Sequence, residues 1–141
     1  MDFLDTLKVD HQRFLNQVGE IERILREISE PLSPATQHEL RDRLQQLIEL
    51  LSSHDELERK ELLPALRRHL PKDDEWLAGM LEIEDEMILK EARQLYELSL
   101  GTPSPISVER LRESGARVVR WMRVHVKVEE ERLFPRLQDL P

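Results

Sequence analysis

Apolar residues recur every three or four positions through four long segments of this sequence, and each stripe is broken at one level by a histidine or a carboxylate. The first stripe reads Leu4, Leu7, His11, Phe14, Val18, Ile21, Leu25, Ile28. The second reads Leu40, Leu44, Leu47, Leu51, His54, Glu58, Leu62, Ala65. The third is less regular: Leu77, Leu81, then Glu84 or Asp85, Ile88, Ala92, Leu95. The fourth reads Leu111, Gly115, Val118, Met122, His125, Glu129, Leu133. Steps of three and four keep one face of an α-helix apolar, and faces of that kind are buried against each other. The expected fold class is all-α, an up-down-up-down antiparallel four-helix bundle, because the connections are short.

The breaks between stripes fit this reading. The first helix stops before Glu30-Pro31. The second opens at Ser33-Pro34, a cap oxygen followed by a proline suited to the first helical position, and runs to about Arg68. The third starts near Asp73-Asp74-Glu75, where acids meet the positive end of the helix dipole, and fades at Leu100-Gly101. Gly101-Thr102-Pro103-Ser104-Pro105 breaks the chain, and the fourth helix runs from around Ser107 to near Asp139. Only 4 of the 141 residues are Gly and 4% are aromatic, which suits helices better than strands and turns. The expectation is one domain over residues 1–141, made of two hairpins at about 1–70 and 71–141.

The hairpins repeat one another. His54-x-x-x-Glu58 leads into Leu62-Leu63-Pro64, and His125-x-x-x-Glu129 leads into Leu133-Phe134-Pro135, at one constant offset (54 to 125, 58 to 129, 64 to 135). Val9-Asp10-His11 aligns with Ile83-Glu84-Asp85, so an aspartate stands where the first half has His11. Each proline removes a backbone hydrogen bond and bends its helix there.

His and Glu four residues apart lie on one helix face. Two such pairs on facing helices deliver imidazoles and carboxylates to one place in the core. Counted from the turns at about 1.5 Å per residue, His11, His54 and His125 fall at similar depth, and Asp85 within a turn of it. Burying unpaired carboxylates costs several kcal/mol each, and no Lys or Arg falls in the stripes at that level. One or two metal dications are the economical answer; a metal-free polar layer is the alternative. Imidazole with carboxylate and no thiolate suits iron, manganese or zinc, and carboxylates able to bridge favour a pair of ions. Glu58 and Glu129 would then bridge, His11 and His54 serving one ion, His125 and Asp85 the other. The Glu-x-x-His pattern of ferritin-like centres does not occur. His38 and His69 read as solvated.

Other classes are disfavoured. The chain has no Cys, which excludes disulfides and thiolate-held sites. A net charge of −8 makes nucleic acid and anionic membranes poor partners, although two bound dications would add four positive charges and leave about −4. The start, MDFLDTLKVDH, does not read as a signal peptide, and no uncharged stretch approaches a membrane span. A cytoplasmic protein is expected.

The Asp10-His11 pair and the doubled His-x-x-x-Glu with its Leu-x-Pro tail resemble the hemerythrin-like (HHE cation-binding) family, over nearly the whole chain. That resemblance implies a four-helix bundle around a non-heme, oxo- or hydroxo-bridged pair of iron ions. It also implies activities among reversible dioxygen binding, oxygen or nitric oxide sensing, iron handling and stress protection. The family pattern expects a histidine on the third helix, and none occurs between His69 and His125. Asp85 is the expected substitute, with Glu82 and Asp55 as fallbacks. Carboxylate in place of imidazole favours ferric iron, which weighs against a reversible oxygen carrier. The expected metal residues are therefore His11, His54, Glu58, Asp85, His125 and Glu129. The expected ligand is dioxygen or another small diatomic or peroxide. Tyr96 and Trp121 lie off the layer and no other catalytic group is at hand, so binding or sensing is expected over turnover. The alternatives are an oxidase or peroxidase-like enzyme on the same site, and a helical interaction module with a degenerate one.

Overall fold

The computed structural model describes residues 2–101 and 105–138. Residues 102–104 of the expected loop, and the expected helix end at Asp139, lie outside the described residues. The elements are α1 (Asp2–Glu27), α2 (Pro34–Leu57), a π-turn (Glu58–Leu62), α3 (Leu63–His69), a 3-10 turn (Lys72–Asp74), α4 (Trp76–Leu100), α5 (Val108–Val128), a second π-turn (Glu129–Leu133) and α6 (Phe134–Gln138). Helical dihedrals continue through Leu57 and Leu63, and through Val128 and Phe134, so α2–α3 and α5–α6 are each one rod. The fold is thus four helical rods without a strand among the described residues.

Local chemistry sets the rod ends. Ser33 Oγ accepts the Thr36 N–H at 3.2 Å, with Pro34 in the first turn, as the sequence predicts. Ser107 caps α5 by accepting the Arg110 N–H at 3.3 Å. Gly101 ends α4 at φ 76°, a left-handed conformation that glycine adopts without strain. Of the acids expected to open the third helix, Glu75 stands at the N-cap of α4, and Asp73 and Asp74 lie in the separate 3-10 turn. There the Asp74 N–H bonds the Pro71 carbonyl at 2.8 Å, and α4 begins at Trp76.

α1 packs against α2 and α5, and α4 packs against the same two. Neighbours run antiparallel: Arg23 meets Glu39, Gln17 meets Gln46 and Asp10 meets His54 down the α1–α2 seam. The apolar stripes close into two clusters. The larger runs from Phe14 and Leu51 to Ile28 and Leu111. The smaller gathers Leu4, Leu7, Leu62, Leu66, Leu81, Phe134 and Leu137 at the other end. Between them lies a layer of buried polar side chains. Among the described residues no helix is long and apolar enough to cross a membrane.

The prolines act through the π-turns. A regular helix would bring the Pro64 and Pro135 rings against the carbonyls four residues back. The turn before each widens instead, so that the Leu63 N–H reaches the Glu58 carbonyl and the Phe134 N–H reaches that of Glu129, five residues back. The expected bend is taken up as one wide turn, directly after each His-x-x-x-Glu.

Candidate metal centre

The polar layer is built from all four rods. α1 contributes Asp10 and His11, α2 His54 and Asp55, and the first π-turn Glu58. α4 contributes Asp85, α5 His125, and the second π-turn Glu129; all are buried. Their atoms form two groups that could each hold a metal ion. One is His11, His54 and Glu129; the other is Glu58, Asp85, His125 and Glu129. Glu129 belongs to both. Its Oε2 lies 3.3 Å from His11 Nε2, and its Oε1 contacts His125 Nε2. Glu58 Oε1 lies 2.6 Å from His54 Nε2 and 3.9 Å from His125 Nε2. Asp85 Oδ1 lies 3.0 Å from His125 Nε2.

These approaches lack hydrogen-bond alignment. The Nε2 atoms of His11, His54 and His125 and both carboxylate oxygens of Glu58 and Glu129 are buried without a hydrogen-bond partner. Elsewhere among the described residues only Gln17 Oε1 and Arg41 Nε share that condition. Buried polar atoms are nearly always satisfied, and leaving one bare costs about 1–3 kcal/mol. Nitrogen and oxygen donors crowded together, but not aimed at one another, fit a cation between them.

The opposite ring nitrogens are held. His54 Nδ1 pairs with Asp10 at 3.0 Å, His11 Nδ1 with Glu130 at 2.7 Å, and His125 Nδ1 with Glu84 at 3.4 Å. A carboxylate on Nδ1 fixes the tautomer that presents the Nε2 lone pair inward and makes that nitrogen more basic. Aromatic packing fixes the ring planes. Phe134 stacks on His11 with centroids 5.5 Å apart, and Phe14 meets His54 edge-on at 4.8 Å.

Without a cation the layer holds protons in its place. Burial pulls the His54 imidazole down, but Asp10 and Glu58 override it and push its pKa up to about 10. His125 is likewise raised well above its ordinary value, by Glu129 and Asp85 against its burial. Burial would raise Glu129, but His125 and His11 hold it well below the usual carboxylate range. Asp85 is pushed up to about 8 by burial and by Glu58, and Asp55 to about 8 by burial and the Asp85 charge.

The structure brings all six expected residues, His11, His54, Glu58, Asp85, His125 and Glu129, into this layer. Among the three candidates for the third-helix position, Asp85 reaches the inner face. Glu82 is half-buried and pairs with Arg67 at 3.2 Å, and Asp55, though buried, is in neither group. His38 and His69 are exposed. Sequence reasoning missed the Nδ1 acceptors Asp10, Glu84 and Glu130 and the stacking ring of Phe134. A signal for two of them existed: Asp10 and Glu84 align in the repeat, and each serves the histidine of its own hairpin.

A family model described as the hemerythrin HHE cation binding domain matches residues 2–137. No curated protein and no solved structure matches the chain.

Proposed function

Because this chain belongs to the hemerythrin HHE cation-binding domain family, we propose that its polar layer holds two iron ions and serves to bind or sense dioxygen or a related small ligand. The observation that carries the reading is the set of bare, buried donor atoms on His11, His54, His125, Glu58 and Glu129. In this reading His11 and His54 hold one ion, His125 and Asp85 hold the other, and Glu58 and Glu129 join them. Bound iron supplies a redox-active Lewis acid with positions left for a small ligand.

The chain's own residues do the rest. Asp10, Glu130 and Glu84 orient the imidazoles and set their basicity through Nδ1. Phe14 and Phe134, both fully buried, keep water from the histidine faces. Asp85 brings negative charge where an imidazole would be neutral, which stabilises the more oxidised ion. That favours sensing, iron handling or oxidation chemistry over reversible carriage.

Metal analysis of purified protein, with optical spectra of the reduced form before and after air, tests the proposal. Two irons per chain and a ligand-to-metal charge-transfer band appearing on oxidation are expected. Protein that takes up no iron on reconstitution and shows no such band would sink it. A second reading, peroxide turnover on the same site, is favoured by the carboxylate at Asp85. It predicts sustained peroxide consumption that Glu58→Ala abolishes.

A further inference from the structure

A cavity of about 310 Å³ opens between α2 and α4, lined among others by Asp55, Arg59, Glu82, Asp85, Glu86 and Arg93. It reaches the layer through Asp85, a member of the second ligand group, and no residue of the His11–His54–Glu129 group lines it. Asp55 forms part of its wall. Asp55 as a residue is only 7% exposed, and neither a hydrogen bond nor an ion pair engages its carboxylate among the described residues.

The repeat makes Asp55 conspicuous. Its counterpart on α5 is Val126, 6% exposed and apolar (55 to 126, the same offset as 54 to 125). The fold therefore accepts a plain hydrophobic side chain there, and the buried carboxylate serves no packing need. The same comparison extends to the other acids. Glu82, Asp85 and Glu86 on α4 correspond to Lys8, His11 and Gln12 on α1 (82 to 8, 85 to 11, 86 to 12). Of two equivalent faces of one bundle, α2–α4 carries four acids where α5–α1 carries Val, Lys, His and Gln. At the rim Arg59, Arg93 and Glu86 are exposed and Glu82 pairs with Arg67, so water and salt screen charges of both signs there, whereas Asp55 and Asp85 lie in the drier depth of the cavity.

We propose that this cavity is the loading port through which a divalent cation reaches the centre, with Glu86 at its rim and Asp55 passing the ion to Asp85. The inference rests on the metal-centre reading above and adds to it a route and a direction. Acids lining a cavity focus the field and speed the arrival of a cation.

The test follows Co²⁺ uptake by the metal-free, full-length protein in stopped flow, through the d–d absorption of the bound ion, and counts bound cobalt at saturation. Asp55→Asn is expected to slow uptake by roughly tenfold or more while leaving the saturating count unchanged. Glu86→Gln, on the exposed rim, is expected to slow it less, and only at low salt. Glu22→Gln, on the α1–α5 face, removes the same charge and is expected to load at the wild-type rate. A wild-type rate in Asp55→Asn would overturn the route. So would fast loading of Asp55→Asn to a lower final count, which would make Asp55 a ligand. Wild-type protein that takes up no cobalt would overturn the metal-centre reading and the route with it.

Discussion

The Asp10 carboxylate accepts the Nδ1–H of His54 at 3.0 Å inside the bundle, across the α1–α2 seam. The pair decides which nitrogen of His54 faces the layer. It also ties ligand basicity to a residue with no place among the inner donors. Glu84 does the same for His125 from α4, so each hairpin supplies an acceptor for its own histidine.

Weakening these acceptors should therefore loosen metal without removing a ligand. Asp10→Asn and Glu84→Gln are each expected to lower metal affinity 10–100-fold. Competition against a chelator of known affinity would measure it. Asp10→Asn should act on the ion held by His54, and Glu84→Gln on the ion held by His125.

Asp85→His restores to α4 the imidazole that its counterpart His11 provides on α1. A neutral donor replacing an anionic one should raise the reduction potential. The reduced, iron-loaded variant is expected to survive longer in air than the wild type, followed by its optical spectrum. Faster oxidation would contradict the charge argument.

The stacked ring beneath His11 has a structural cost of its own. Phe134 is fully buried in the smaller apolar cluster, and Phe134→Ala should destabilise the protein by about 3–5 kcal/mol. Denaturant unfolding of the metal-free protein checks this apart from any change in metal binding.

Metal-free protein should lose stability as pH rises. Asp85 goes from its ordinary 3.8 to about 8 through burial and Glu58, so the folded chain keeps a proton that the unfolded chain releases. That contribution is complete below 3.8 and is lost as pH climbs through about 8. Asp55 behaves alike, from 3.8 to about 8. His54 is lowered by burial but raised more by Asp10 and Glu58, from 6.5 to about 10; its contribution is complete below 6.5 and lost through about 10. Glu129, whose pKa is lowered, gives the opposite slope, confined to pH below its ordinary 4.5. Urea midpoints of chelated protein should thus fall from pH 4.5 upward, and a rise over that span would contradict the assignment. Metal affinity should increase over the same span, because the ion displaces protons from the imidazoles.

The residues that the sequence revealed are those whose roles depend on one helix at a time. His54 and Glu58, or His125 and Glu129, share a face by helical period alone, and the apolar stripe says which face is buried. Repeating the motif at one offset put both pairs in the core. Roles that depend on how two rods are rotated against each other were not legible. Glu130 serves His11 from across the α1–α5 seam, and nothing in the local pattern separates it from Glu131. Asp85 and Glu82 lie three residues apart on one helix, and only packing against α2 and α5 turns one inward and leaves the other beside Arg67. The prolines announced a disturbance but not its form. A widened turn and a kink meet the same steric demand, and the packing beyond Leu62 and Leu133 settles between them.

The polar layer also divides the apolar interior into two parts of unequal size. Backbone continuity and the layer itself are the main ties between them. With both groups occupied by cations, side chains from all four rods are fastened into one layer and the halves should open together. With the layer holding only protons, the smaller part, built from the start of α1, the start of α4, and α3 and α6, should fray on its own. Amide exchange would then show two protection classes that merge on metal addition. In that sense metal occupancy of the layer would govern whether the chain behaves as one cooperative body or as two.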